Sequence, residues 1–266
     1  MNTATSFIAI TLYIAATALQ LRRMRAGTVS TDGPGAVALV LGALGTALHL
    51  VAAASAIHTP DGAHLGAIQV LSLVGATIAA ITLSASLRRP LYNLLMVVYP
   101  LAALLLLAEW LTPVAEDLEH YSTGVLSHIV LSILSYSVLT MAAAQALILW
   151  IQDSRLRHHR LTGFHSLLPP IQTMEAMLFE LIWAGLILLT LAIVTGAIYV
   201  DDLLAQHLAH KTVFSLLAWL LFAVLLGGRM ILGWRGRTAI RWTLGAFVCL
   251  LLGYLGTEVA LTVIAS

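Results

Sequence analysis

Two histidines of the sequence lie inside long apolar stretches, where an ionisable side chain is costly and therefore marks a candidate functional residue. His49 lies eight residues before the end of the apolar stretch 36–57, and His128 lies near the start of the stretch 122–151. Two neutral imidazoles in an apolar pocket that excludes water are what six-coordinate haem b requires as axial ligands. The alternative is that each histidine only hydrogen-bonds a neighbouring carbonyl or hydroxyl group.

Each histidine also lies on a stripe of small and polar residues that repeats with a helical period. The first stripe consists of Gly42, Gly45, Thr46, His49, Ala53 and Ala56, and the second of His128, Ser132, Ser135 and Ala142. Small residues let helices approach closely, and hydroxyl groups can form hydrogen bonds across the contact. We therefore predict that both stripes face the interior of a helical bundle. His49 lies roughly 12 Å below the end of its helix at 1.5 Å per residue, a depth that His128 could share.

A second group of candidate ligands lies in the segment DDLLAQHLAHKT, 201–212. His207 and His210 are three residues apart, so they share one helical face and could chelate a metal, although a solvated start of a helix also explains them. Lys211 could neutralise a haem propionate or an anionic lipid headgroup, or extend into the headgroup region without a specific partner. His210 and Lys211 are therefore secondary candidates for cofactor binding.

Membrane-spanning helices must position these residues. Hydrophobic residues make up 60% of the 266 residues and charged residues only 9%, whereas a soluble domain carries roughly 25% charged residues. The composition predicts an all-α polytopic transmembrane bundle, a single integral membrane domain over 1–266 with about eight spans of the length that crosses a bilayer. The charge-poor stretches that predict the spans are 6–21, 36–57, 65–87, 91–110, 122–151, 177–200, 211–231 and 240–261.

The basic residues predict the orientation of the chain. All but one of the 13 Lys and Arg residues fall in alternate connections, after the first, third, fifth and seventh spans. The positive-inside rule assigns those connections to the cytoplasm. Both termini are then expected on the non-cytoplasmic side, and Lys211 is the exception on that side.

Several function classes are unfavourable on the sequence alone. A formal net charge of +1 gives no reason to expect a nucleic acid as partner. Cys249, the only cysteine, cannot form an internal disulfide or attach a c-type haem through a paired-cysteine motif. Conventional nucleophile and phosphate-loop motifs are absent, so we expect a protein that is not an enzyme. Glu109 and Glu258 lie near span ends rather than at the midplane, where a transporter would need its carboxylates.

The second half of the chain resembles the cytochrome c assembly family, which includes CcsA, CcmC and HemX-like proteins, and in particular its bacterial inner-membrane YpjD branch. The family-like core is 126–259. The segments that carry the resemblance are LSHIVLSILSY at 126–136, FHSLLPPIQTMEAMLF at 164–179, LILLTLAIVTGAIY at 186–199, AWLLFAVLLGGRMILGWRGR at 218–237 and GYLGTEV at 253–259. His128 matches an outer-side histidine of the family, and His49 matches the second-span histidine of the YpjD branch.

The resemblance implies an inner-membrane protein that binds or handles haem b, with possible partners among haem and cytochrome assembly proteins. The tryptophan-rich WWD segment of haem-presenting members corresponds to YVDDLLAQHLAHKT at 199–212, which has no tryptophan. Two alternatives stay open at this point: a structural or regulatory partner of another membrane complex, with histidines that serve packing, and a small-solute transporter.

Overall fold

The computed structural model describes residues 3–25, 35–59, 62–63, 66–87, 92–112, 121–157, 170–199 and 206–264. Within these residues the chain forms eight α-helices and one hairpin of two-residue strands. The helices are α1 Thr3–Arg25, α2 Ala36–Ile57, α3 Ala67–Ser86, α4 Tyr92–Leu111, α5 Thr123–Arg157, α6 Ile171–Tyr199, α7 Gln206–Leu232 and α8 Arg237–Ile264. Strand β1, His58–Thr59, pairs antiparallel with β2, Gly62–Ala63, in the connection between α2 and α3.

The helices confirm the predicted all-α class. Seven of them, α1 to α7, are long and apolar enough to cross a membrane. The eighth predicted span, 240–261, corresponds to α8, whose side chains the structure describes only as far as Tyr254. The orientation of the termini and the single integral membrane domain stay predictions.

Two helices extend well beyond the predicted spans. Helix α5 has 35 residues and continues to Arg157, as expected for a span that leaves the membrane at one end. Helix α6 begins at Ile171, six residues before the predicted start at 177. It begins directly after Pro170, and a proline is well tolerated at the start of a helix. The carboxylate of Glu175, in this first part of α6, pairs with Arg229, which explains why a charged residue is accommodated there.

Helices α1 to α4 form one compact unit. Each helix packs against its neighbours in the chain, and α4 also packs against α1, so the four helices close into a bundle. Small residues such as Ala9 and Ala52 are buried beside Leu106. Helix α4 continues through Pro100, which lies within it.

Helices α5 to α8 form the second compact unit, with the same cyclic order of packing. Leu139, Leu178, Ile182 and Phe222 are fully buried in it. Close contact between α5 and α6 depends on Gly185, since a Cβ at this position would collide with the side chain of Leu139. The indole Nε1–H of Trp219 donates a hydrogen bond of 2.9 Å to Thr190, which links α7 to α6.

Large apolar side chains are exposed on α1, α2 and α4 to α8, and Leu87, directly after the end of α3, is exposed as well. Monomeric soluble proteins rarely expose extended apolar surfaces of this kind. The exposed side chains therefore have the position expected of residues that face lipid.

Candidate functional site

His49 lies at the centre of a buried hydrogen-bond network in the first unit. Its side chain is completely buried. Its Nε2 lies 2.9 Å from the Ser72 hydroxyl on α3, and its Nδ1 lies 3.4 Å from the Tyr13 hydroxyl on α1. Three helices thus fix the imidazole, and both of its nitrogens have a partner.

The directions of these hydrogen bonds can be traced from the carbonyl oxygen of Gly42, which can only accept. The Thr46 hydroxyl lies 2.8 Å from the carbonyl oxygen of Gly42, which can only accept, so Thr46 donates its single hydrogen there. Thr46 can then only accept from the Tyr13 hydroxyl, 3.4 Å away. When Tyr13 donates its only hydrogen to Thr46, Nδ1–H of His49 donates to the Tyr13 oxygen. In a neutral imidazole the Nε2 lone pair then accepts the hydrogen of Ser72.

The network continues toward Glu109 on α4, whose carboxyl group lies close enough to Ser72 to interact with the same hydroxyl. If Ser72 donates to His49, only a protonated carboxyl of Glu109 can donate to Ser72 in turn. If His49 instead carries a hydrogen on Nε2, Ser72 accepts that hydrogen and can donate its own to an ionised Glu109. In both arrangements Nε2 of His49 is occupied by Ser72 and is not available to another ligand.

Two polar atoms next to this network are buried without a hydrogen-bond partner among the described residues. They are the hydroxyl oxygen of Tyr99 and Oε2 of Glu109. The ring of Tyr99 packs on Tyr13 with centroids 5.2 Å apart. Unpartnered polar atoms are costly in an apolar bundle, so this region differs from an ordinary packed core.

The predicted stripe on α2 is confirmed as an inward face. Gly42, Gly45, Thr46, His49 and Ala53 are all buried, and Ala56 is half-buried. On α5, His128 and Ser132 are half-buried while Ser135 and Ala142 are buried, and Ser135 donates a hydrogen bond of 3.3 Å to the carbonyl of Gly185.

Among the described residues, His128 makes one hydrogen bond. Its Nδ1 lies 2.7 Å from the backbone carbonyl oxygen of Ala192 on α6. Its ring lies against Gly196, one turn further along α6, where a Cβ would come within 2.8 Å of Cε1 and 3.0 Å of Nδ1. Glycine at 196 thus leaves the room that this ring position requires.

The carbonyl partner fixes the tautomer of His128. A carbonyl oxygen only accepts, so Nδ1 carries the hydrogen and the lone pair of the neutral ring is on Nε2. Among the described residues Nε2 has no hydrogen-bond partner. Metal-ligating histidines typically donate their second ring N–H to a carbonyl or carboxylate in this way. His128 therefore has the tautomer and the open nitrogen of a ligand, whereas His49 does not have an open nitrogen.

Lys211 lies near the start of α7, in the same unit as His128. Its Nζ lies 5.9 Å from the ring centroid of Tyr254 on α8. Tyr254 in turn packs edge-on against Tyr136 of α5, with centroids 5.9 Å apart, and Tyr136 hydrogen-bonds Ser215 of α7. Tyr136 is about two helical turns from His128 on α5. The Lys211 ammonium group, which lies near Tyr254 and so near Tyr136, is therefore at the same end of the second unit as His128. At this end α5 begins and α6 ends.

The remaining predicted ligands are only partly described. His207 and His210 belong to α7 by their backbone, but their side chains, and residues 200–205, lie outside the described residues. Within the described part of the chain no group of three or more His, Cys, Asp or Glu residues could hold a metal ion. His49 belongs to the first unit and His128 to the second.

Sequence reasoning did not identify Tyr13, Ser72, Tyr99 or the connection of Glu109 to His49. The only available signal was a polar residue within an apolar stretch. This signal does not distinguish Ser72 and Glu109 from several residues that hydrogen-bond only to the backbone of their own helix. Ser84 and Thr77, for example, donate to the carbonyl four residues earlier in α3.

Comparison with known proteins extends the similarity over most of the chain. Residues 36–264 match the family model described as cytochrome C assembly protein. The chain is 33% identical over 229 residues to "Inner membrane protein YpjD" of Escherichia coli K12, which covers 84% of this chain and 86% of that protein. A shorter match, 30% identical over 89 residues, links 33% of this chain to 26% of "Cytochrome c biogenesis protein CcsA" of Gloeobacter violaceus. No solved structure matches the chain. With its membrane-length helices, the chain is thus an integral protein of the bacterial inner membrane.

Proposed function

This chain belongs to the cytochrome c assembly family, and from that premise we propose that it binds or handles haem b within the inner membrane, with His128 as an axial ligand. The observation that carries the proposal is the state of the His128 ring. Nδ1–H donates to the Ala192 carbonyl, so Nε2 presents its lone pair without a competing partner among the described residues. The similarity to a protein named for cytochrome c biogenesis also supports the proposal that this chain binds or handles haem.

The donor chemistry around His128 suits haem. A neutral imidazole is an axial ligand of b-type haem, and the carbonyl behind it increases its basicity. A haem also needs a cation for its propionates. Lys211 supplies this cation on α7. We propose His210, on the same segment, as a second residue that contacts the haem.

We also propose His49, in the first unit, as a ligand of haem iron, and its geometry sets a condition. Because Ser72 occupies Nε2 at 2.9 Å, the imidazole would have to exchange this hydrogen bond for iron. The bound group would supply redox-active iron. The protein would supply the ligand orientation, the apolar surroundings and the charge of Lys211.

The occupied nitrogens of His49 favour a second candidate function. A fully buried histidine with two hydroxyl partners also suits a purely structural residue in a scaffold protein that assists a membrane complex. In that case His49→Ala lowers stability and leaves any haem spectrum unchanged.

The test is a reduced-minus-oxidised absorption spectrum of the purified protein beside three variants. We expect a b-type spectrum in the wild type that is lost in His128→Ala and restored in part by added imidazole, since imidazole can occupy the vacated space. His49→Ala should shift the spectrum if His49 is a haem ligand. His159→Ala, which changes a histidine between α5 and α6 in sequence, is the matched control. Colourless wild-type protein after expression with ample haem, or an unchanged spectrum in His128→Ala, would contradict the assignment.

A further inference from the structure

Four arginines cluster where α7 turns into α8. Arg229 lies in the last turn of α7, Arg235 lies in the connection, and Arg237 and Arg241 lie in the first two turns of α8. The connection has left-handed backbone at Gly233 and Gly236, with φ of 67° and 55°, which only glycine adopts without strain. The sequence therefore fixes this tight turn and the positions of the arginines around it.

Two of the four arginines are compensated by carboxylates. Arg229 donates to Glu175 of α6 at 2.6 Å, and its guanidinium lies 4.2 Å from the ring centroid of Phe179. The other oxygen of Glu175 accepts the backbone N–H of Gly236 at 3.3 Å. Arg237 donates to Asp153 of α5 at 2.8 Å. These contacts anchor the turn to α5 and α6.

The other two arginines have exposed side chains and no ion-pair partner within the described part of the chain. Arg235 is in the turn and Arg241 is one helical turn beyond Arg237. At 1.5 Å per residue, Arg241 lies about 6 Å along α8 from its first residue. Each guanidinium can form two parallel hydrogen bonds with a phosphate group.

Arg241 continues into an apolar, exposed face of α8. Residues Arg241, Gly245, Val248 and Leu252 are all exposed and follow a helical period. The sequence predicts that α8 spans the membrane, and on such a helix an exposed face of this composition contacts acyl chains. Arg241 therefore lies where such a face reaches the headgroup region, because its long side chain can extend to the phosphates.

Aromatic and apolar side chains complete the surface. The rings of Trp234 and Trp242 pack with centroids 5.1 Å apart, and tryptophan is enriched where the membrane meets water. At the end of α7, Met230, Ile231 and Leu232 are 74%, 83% and 68% exposed. Apolar side chains that can contact acyl chains thus lie close in sequence to the two arginines that have no ion-pair partner in the described part of the chain.

We infer that this surface binds one anionic phospholipid, with its phosphate held by Arg235 and Arg241 and an acyl chain along Val248 and Leu252. Charge complementarity selects the occupant. The guanidinium groups of Arg235 and Arg241, which have no ion-pair partner among the described residues, attract a lipid with net negative charge. The ammonium group of a zwitterionic lipid would be repelled. This lipid site lies at the opposite end of the second unit from His128 and does not depend on the proposed haem function.

The test uses the full chain purified in a neutral detergent and titrated with phosphatidylglycerol or phosphatidylcholine, with lipid adducts counted by native mass spectrometry. We expect one phosphatidylglycerol adduct that saturates first. An interfacial arginine strengthens association with an anionic lipid by about fivefold, so Arg235→Gln with Arg241→Gln should weaken it about 25-fold. Arg22→Gln, which removes an exposed arginine of α1 in the first unit, should leave it unchanged. Lysine at both positions should retain part of the affinity.

Other outcomes overturn the inference. Equal affinity for the two lipids would exclude selection by charge. An equal loss in Arg22→Gln would show that net charge alone attracts the lipid. Displacement of the adduct by millimolar inorganic phosphate would indicate a site for free phosphate instead of a lipid headgroup. Both arginines are exposed, so the glutamine variant is expected to fold, and its circular dichroism spectrum checks this.

Discussion

Replacing Gly196 by alanine should displace the His128 ring, and the effect can be worked out from the structure. A Cβ at position 196 would lie 2.8 Å from Cε1 and 3.0 Å from Nδ1 of His128, whereas carbon atoms pack at about 3.5–4.0 Å. The ring must therefore move by about half an ångström or more. A movement of this size lengthens the Nδ1–H hydrogen bond to Ala192, now 2.7 Å, toward the limit of useful geometry. Overpacking of this kind typically costs about 1–3 kcal/mol.

Gly245→Ala is the matched control, because it makes the same chemical change in a helix where nothing lies within 4 Å of the new Cβ. Alanine is about 0.5–1 kcal/mol more favourable than glycine within a helix, so this control should be neutral or stabilising. Each kcal/mol shifts Tm by about 2–4 °C in a domain of 150–250 residues, so Gly196→Ala should unfold roughly 5 °C below Gly245→Ala. The assay is thermal unfolding in detergent followed by size-exclusion chromatography, together with the haem spectrum of both variants. Equal Tm values and equal spectra would refute the packing of His128 on Gly196.

Three further predictions concern the ion pairs, the His49 network and the orientation. Glu175→Gln leaves Arg229 without its carboxylate in a pair whose side chains are only 27% and 12% exposed, so it should cost about 1–3 kcal/mol. Asp153→Asn breaks the more exposed pair with Arg237 and should cost under about 1 kcal/mol; equal Tm values for the two variants would contradict this ranking. Ser72→Ala removes the partner of His49 Nε2 and should lower the free energy of unfolding by about 1–3 kcal/mol, whereas Ser84→Ala, which changes an exposed hydroxyl bonded to Ala80, should be neutral in the same denaturation assay. For orientation, alkaline phosphatase fused after Ser266 should be active and the same enzyme fused after Arg89 inactive, and the reverse pattern would invert the proposed topology.

The helices were predictable from the sequence because an apolar stretch in a membrane leaves the backbone only one way to satisfy its hydrogen bonds over that length. Helix α2, Ala36–Ile57, begins and ends where its charge-poor stretch does. The start of α6 was not predictable by the same rule, since Glu175 interrupts the apolar pattern at one end of the helix. Its carboxylate is stabilised by Arg229, which follows 54 positions later in the chain. Charge-poor stretches therefore locate the spans. They underestimate the length of a helix whose end carries a charged residue that pairs with a residue distant in the sequence.

The roles of the two histidines depend on their partners, and this explains why the sequence could nominate both but not separate them. His49 and His128 are the same residue type on similar stripes, at comparable distances from helix ends. What differs is the group that each nitrogen meets. For His49 these groups come from Tyr13 on α1 and Ser72 on α3. For His128, Nδ1 meets one backbone carbonyl on α6, and Nε2 has no hydrogen-bond partner among the described residues. A nitrogen with a hydroxyl partner must break that bond to bind iron, whereas Nε2 of His128 need not. The ranking of His128 above His49 as a haem ligand therefore rests on packing between helices. Ser72→Ala tests this ranking through His49. If the Ser72 hydroxyl prevents His49 from binding iron, this variant should bind haem more tightly than the wild type despite its lower stability.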